Sequence, residues 1–420
     1  MDSKSIYSGL LLSVAIMAFV IPAGMAEDAI GMPGTAKNVI LLIGDGMGFP
    51  QLTLARIEKA GESLSQYGPL DLFMDGMDAT GYVSTSSANS FVTDSAPAAT
   101  AIATGNKTNN GVIGQDATAV QGKMDGKNLT SILEMAEEAG LSTGLVTTTR
   151  ITHATPAAFY AHVNNRDNET EIADQLLMSN IEVILGGGLQ YFLGRNDTDS
   201  AGNFGKRGDG RNLLSEFVSQ GYIAVYNGSA FQNLDVLKTD KVLGLFGSSH
   251  MLYEPEREES AEPSLADMTE KAISILSRNP KGFFLMVEGG RIDHASHERN
   301  LTKTVADTLA FDEAVNASLS FASLDNHTLV IVTADHECGG LVLQPENLEE
   351  YEGGSIDPVF ASGTARTPGP RYDFITEMQE ATHTAVDVPI MASGPGAEKV
   401  SHGKLDNTEI FHIMKEALGF

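Results

Sequence analysis

The sequence predicts an α/β fold, a three-layer α/β/α sandwich with a mostly parallel central sheet and a small surface excursion. Three observations carry this. Apolar runs of five to seven residues are continuous rather than alternating, as in strands buried on both faces. Helical patterns separate them, which implies parallel strands joined by crossovers. Acidic residues, histidines and glycines follow the ends of several runs, where open α/β sheets place their ligands.

The first run, residues 37–43, leads into Gly44-Asp45-Gly46. Residues 142–148 end before Arg150, and 181–185 before Gly186-Gly187-Gly188. Residues 283–287 run into Glu288-Gly289-Gly290, and 328–332 lead towards Asp335-His336. Residues 388–392 form a sixth candidate strand. Helical periodicity covers 129–139, 169–178, 265–276, 302–321 and 408–418. Two stretches rich in turn-forming residues, 191–211 and 344–382, read as elaborations. The second is the predicted surface excursion. No internal repeat is present, and residues 27–420 read as one domain.

The chain has 420 residues, 55 acidic and 27 basic, with a formal net charge of −28. Nucleic acid and anionic membrane surfaces are therefore not expected partners, since both need basic patches. Any anionic substrate needs a site made locally positive. Residues 1–26 read as a signal peptide. Lys4 supplies positive charge, residues 9–21 are apolar but short for a membrane span, and small residues precede a cut after Ala26. A retained anchor is the alternative. The expected product is exported (periplasmic, cell-surface or extracellular), with no transmembrane span in the mature chain. Eight Asn-x-Ser/Thr sequons, beginning at Asn106, fit export, although such matches are common by chance. The single cysteine, Cys338, excludes an intramolecular disulfide.

Several segments carry residues suited to chemistry. Asp293 and His297 are four apart, so a helical turn would aim both at one metal; an ordinary i,i+4 pair is the plain alternative. Asp335 and His336 repeat the carboxylate–imidazole pairing directly after a strand. Asp45 sits in a glycine-rich turn, where capping alone would account for it. Ser95, near a predicted helix start with Pro97 and an alanine-rich turn, is either a cap or a nucleophile. The helix N-terminus would favour a phosphate on it, and a nearby metal could activate it without a Ser-His-Asp triad. Arg166, beyond His153-Ala154-Thr155-Pro156, could clamp phosphate oxygens or form a surface ion pair. His383 carries no spacing signal of its own.

Taken together, IGDGMG, TDSA, HATP with Arg166, EGGRIDHASH, TADHECGG and HTA resemble the alkaline phosphatase family, in the family's order from Lys37 to Ala385. The resemblance implies two zinc ions and one magnesium. Asp293, His297 and His383 match the ligands of the first zinc, and Asp45, Asp335 and His336 those of the second. Asp45, Thr155 and Glu288 match those of the magnesium. Ser95 matches the nucleophile that becomes phosphoserine, Arg166 the phosphate clamp, and Asp94 the residue orienting Arg166. Imidazole and carboxylate suit zinc, and oxygen ligands suit magnesium. Four site carboxylates against Arg166 leave the metal-free site at −3, so divalent ions would decide whether it attracts a phosphate dianion.

His153 and His294 stand where some bacterial members carry Asp and Lys, as in animal-type and some marine bacterial enzymes. They would meet magnesium-bound water or phosphate indirectly, which implies looser magnesium binding and a more alkaline optimum. Gly247, after Phe246, replaces the Glu of the animal-type calcium site; Glu216 and Glu262 alone give calcium weak support. The excursion at 344–382 corresponds to the family's crown. A homodimer and broad action on small-molecule phosphate monoesters, for phosphate scavenging, are further expectations. A phosphodiesterase or phosphonate hydrolase of the same fold, and a non-catalytic phosphate or metal binder, are the competing readings.

Overall fold

A computed structural model describes residues 35–60, 72–345, 356–360 and 381–420. The expected signal peptide and most of the expected excursion lie outside these residues. Ten strands form one sheet: β1 (Asn38–Gly44), β2 (Ala79–Ser84), β3 (Ser142–Arg150), β4 (Val183–Gly187), β5 (Ile223–Val225), β6 (Val242–Leu245), β7 (Phe283–Gly289), β8 (Thr328–Ala334), β9 (Val388–Ser393) and β10 (Lys404–Asp406). Their order is β10-β2-β9-β8-β1-β7-β3-β4-β6-β5. Only β9 runs against its neighbours, β2 and β8. The predicted α/β class with a mostly parallel sheet is what forms.

Strands β1, β7 and β8 are buried along their whole length, which explains their unbroken apolar runs. Helices Glu169–Met178 and Leu265–Leu276 form where periodicity placed them. The other three differ at their ends, that expected over 408–418 by one residue, as Asn407–Ala417. The helix expected from 129 starts at Ile132, because Ser131 caps it and exchanges hydrogen bonds with Glu134. The helix expected over 302–321 extends over Leu301–Asp325, closed by Asn326 in the left-handed region.

The elaboration at 191–211 is tied to the body by Arg207. Its side chain is 1% exposed and meets Asp174 and Asp209 at 2.9 and 2.5 Å. Of the excursion, the described part is a two-stranded antiparallel ribbon, Leu341–Pro345 with Ile356–Phe360. A shorter ribbon pairs Glu337–Cys338 with His383–Thr384. Among the described residues, no helix is long and apolar enough to cross a membrane.

Candidate metal and phosphate site

Register sets the level of the site. Gly44 at the end of β1 stands opposite Ala334 of β8, so Asp45 and Asp335 leave the sheet side by side. On the other flank, Ile43 pairs with Glu288, which also pairs with Thr147 of β3. The chain then turns into the helix Arg291–His297, which carries Asp293 and His297 one turn apart. Gly46 allows the crowding: its φ is +69°, and a Cβ there would come within 2.9 Å of Asp293 Oδ1 and of Cys338 Cβ.

Ser95 opens the helix Ser95–Thr104 as its first residue. The N-cap is its neighbour Asp94, whose carboxylate accepts from Ala96 N–H at 2.8 Å. Ser95 thus lies at the helix start, as expected, with capping supplied by Asp94 rather than by Ser95. This leaves the Ser95 hydroxyl free of capping and still at the positive end of the helix. Asp94 also accepts from Gly111 N–H at 2.6 Å and from Arg166 Nη1 at 3.0 Å. Arg166 Nη2 donates to His153 Nε2 at 3.0 Å. The guanidinium is therefore fixed between Asp94 and His153, and its charge is offset on one edge only.

The oxygens around His336 decide between two chemistries. Ser95 Oγ and Asp335 Oδ2 are each 3.2 Å from His336 Nε2, and Asp45 Oδ1 is 3.4 Å away. Nδ1 of the same ring is buried without a hydrogen-bond partner. A serine relay needs the hydroxyl on one ring nitrogen and a carboxylate on the other. Here serine and carboxylates crowd the same nitrogen, as groups do that share a cation. Burial holds this imidazole well below its ordinary range, so it is a neutral donor.

A second cluster has the same character. His297 Nδ1 donates to the Ala381 carbonyl at 2.6 Å, and His383 Nδ1 to the Thr93 carbonyl at 2.9 Å. Both Nε2 atoms then face inward, 3.1 Å apart and each 3.4 Å from a different Asp293 oxygen. Carbonyl contacts of this kind set the tautomer of metal-binding histidines. Burial works against charge on His383, but the Asp293 contact outweighs it and raises the imidazole to about 9.

A third group joins Asp45, His153 and Glu288, which offer ligand atoms within 4.8 Å of one another. Glu288 Oε2 accepts from Thr147 and Thr149, whereas Oε1 and the Thr155 hydroxyl are buried without partners. Burial pushes Glu288 up to about 7 and Asp335 to about 6, and it raises Asp45 well above the usual carboxylate range. Unpartnered buried oxygens of Asp45, Glu288, Thr155, Asp293 and Asp335 are costly unless cations complete them. The two clusters built on His336 and on His297 with His383 have the mixed imidazole and carboxylate donors that suit zinc. The third, with Asp45, Glu288 and the Thr155 hydroxyl beside His153, is the richest in oxygen donors, which suit magnesium.

Every residue singled out from the sequence for this site belongs to one of these groups or borders them. His294 packs against His153 and His250, with ring centroids 5.6 and 4.3 Å away. Sequence reasoning missed His250, which lies far along the chain and makes close contact with Arg150. It also missed Cys338, whose sulfur joins Asp293, His297 and His383; its place two residues beyond His336 was the available signal. Glu216 is held by Arg211 at 2.7 Å and Glu262 accepts from Leu252 N–H at 2.8 Å. Among the described residues, the two are not gathered into a common cation site.

Comparison with known proteins follows the same lines. A family model described as alkaline phosphatase matches residues 36–354 and 371–420. An alkaline phosphatase of Gadus morhua is 36% identical over 440 residues, covering 91% of each chain. Alkaline phosphatase 4 of Bacillus subtilis is 34% identical, covering 90% of this chain and 89% of its own. The solved structure of alkaline phosphatase from the Antarctic bacterium TAB5 is 33% identical, with a TM-score of 0.74. It covers 91% of this chain and 98% of its own.

Proposed function

This chain belongs to the alkaline phosphatase family, enzymes of metal-dependent phosphate monoester hydrolysis, and on that premise we propose the residues that perform the reaction here. Ser95 Oγ is the nucleophile. Asp293, His297 and His383 hold one zinc, Asp45, Asp335 and His336 a second, and Asp45, Thr155 and Glu288 a magnesium. The observation that carries this is the crowding of Ser95 Oγ and two buried carboxylates onto one nitrogen of His336.

When bound, the divalent ions supply Lewis acidity and offset the four carboxylates, which favours the alkoxide forms of nucleophile and leaving group. The protein's part begins with binding. Arg166 presents its fork to two phosphate oxygens, with Asp94 and His153 fixing its plane. The positive end of the Ser95–Thr104 helix faces the phosphoryl group. Of its first-turn N–H groups Ala96 and Ala98 already donate to Asp94 and Pro97 has none, so the helix contributes through its dipole. Ser95 Oγ attacks phosphorus, the alcohol departs on the opposite side, and the phosphoserine is then cleaved by water. Recognition centres on the phosphoryl group, which supports broad specificity and a role in phosphate scavenging. His153 is held neutral by burial and then by the Arg166 charge, so it accepts from Arg166 without competing for phosphate.

The apolar segment at 9–21 and the resemblance of the mature chain support an exported enzyme cut after Ala26. The resemblance also supports a homodimer. The decisive assay is p-nitrophenyl phosphate hydrolysis at alkaline pH, with and without chelator, beside bis-p-nitrophenyl phosphate. Chelator-sensitive turnover of the monoester well above that of the diester is expected. Preference for the diester would overturn the monoesterase reading of Ser95 and Arg166.

A further inference from the structure

We propose that Cys338 is a fourth protein donor to the first metal, beside Asp293, His297 and His383. The inference rests on the metal-site reading above. Cys338 Sγ, an Asp293 oxygen and a nitrogen from each histidine lie within 4.8 Å of one another, and the cysteine is fully buried. The backbone enforces this arrangement. Cys338 and His383 are directly opposite in the antiparallel ribbon, so their side chains share a face. Cys338 N–H donates to the Gly46 carbonyl at 3.1 Å, which ties the ribbon to the turn after Asp45. Gly46 itself lies close to both Cys338 and Asp293, as its lack of space for a Cβ shows.

A second observation points to a ligand at this spot. Asp293 is 5% exposed, and the nearest approach to its Oδ1 is the long 3.4 Å contact from His383 Nε2, with no hydrogen bond of good geometry completing it. Two histidine nitrogens face each other across 3.1 Å beside it. The thiol therefore adds a soft donor to a carboxylate and two imidazoles that already converge on one point. On coordination, the S–H bond breaks, its proton passes to solvent and a sulfur–metal bond forms; nothing is oxidised or reduced. The consequence is selectivity. Thiolate favours zinc, cadmium and cobalt over magnesium and manganese at this position, whereas the magnesium site keeps oxygen donors.

Cobalt(II) titrated into the metal-free protein tests this by absorption. Cys338 is the chain's only cysteine, so a thiolate-to-cobalt charge-transfer band in the near ultraviolet can come from no other residue. The expected result is a band saturating at one cobalt per chain, absent in Cys338→Ser while visible cobalt absorption persists. Zinc X-ray absorption should show a sulfur at about 2.3 Å in the wild type. Visible cobalt absorption without the charge-transfer band in the wild type would overturn the proposal and leave the three-ligand site standing. Absence of both would overturn the metal-site reading as well.

Discussion

The two ends of the same strands handle buried polarity in opposite ways. At the amino ends, Asn38 of β1 donates to Asp325 at 3.0 Å and to Thr328 of β8 at 2.9 Å, and accepts from Phe283 N–H of β7 at 3.2 Å. Glu182, just before β4, accepts from Thr143 N–H of β3 at 2.7 Å. These groups satisfy one another. At the carboxyl ends, Asp45, Glu288 and Asp335 keep buried oxygens without partners. One end is closed and serves the fold. The other is left open, and its unmet bonding capacity specifies divalent cations.

Breaking the open end should abolish chemistry before it harms the fold. Ser95→Ala should lower kcat/KM by at least about 10³-fold with little change in melting temperature. Exhaustive chelation should abolish turnover and also destabilise the chain, by about 4 kcal/mol where metal had stood at 1,000 times its dissociation constant. Restored turnover on adding zinc and magnesium, and an upward shift in melting temperature, are the readouts. Arg166→Ala should cost about 10- to 100-fold in kcat/KM, the worth of one or two charge-assisted hydrogen bonds. Its phosphate inhibition constant should weaken in parallel.

The closed end should respond in the reverse sense. Asn38→Leu should cost about 1–3 kcal/mol in denaturant unfolding, through the unpaired Phe283 N–H, with kcat unchanged; Asp325 keeps the Thr328 hydroxyl and the His327 N–H. The most conditional effect is at Glu182, since it appears only at higher pH. Burial, with a further contribution from Glu137, pushes its carboxyl from 4.5 to about 7 despite the Thr143 N–H bond. Its folded form holds a proton that the unfolded chain releases. The stability it contributes is present below pH 4.5 and lost as pH rises through about 7. Glu182→Gln should therefore gain relative to wild type above that range and show no gain below it, by thermal unfolding across pH. A gain confined to low pH would contradict this assignment.

Much of this contrast was legible before any coordinates. The buried strands β1, β4, β7, β8 and β9 announced themselves as apolar runs, whereas β3 was placed on Leu145 and Val146 among threonines. Strands β2, β5, β6 and β10 did not. Two span three residues, and β2 and β6 are interrupted by Gly81 and Gly244, so none supplies enough pattern to stand out. Asp293 and His297 were readable because a helical turn brings i and i+4 together. His383 was readable only through the family's motifs, since its place depends on a ribbon closed 45 residues after Cys338. Cys338 reaches the same cluster through that ribbon, which local spacing does not encode.

The most direct test of the central claim is to trap the covalent intermediate. Metal-loaded enzyme is mixed with a phosphate monoester, quenched in acid, digested and examined by mass spectrometry. The account predicts one phosphoryl group on the peptide containing Ser95, absent in Ser95→Ala and in chelated enzyme. Full turnover by Ser95→Ala, or a phosphoryl group on another residue, would contradict it.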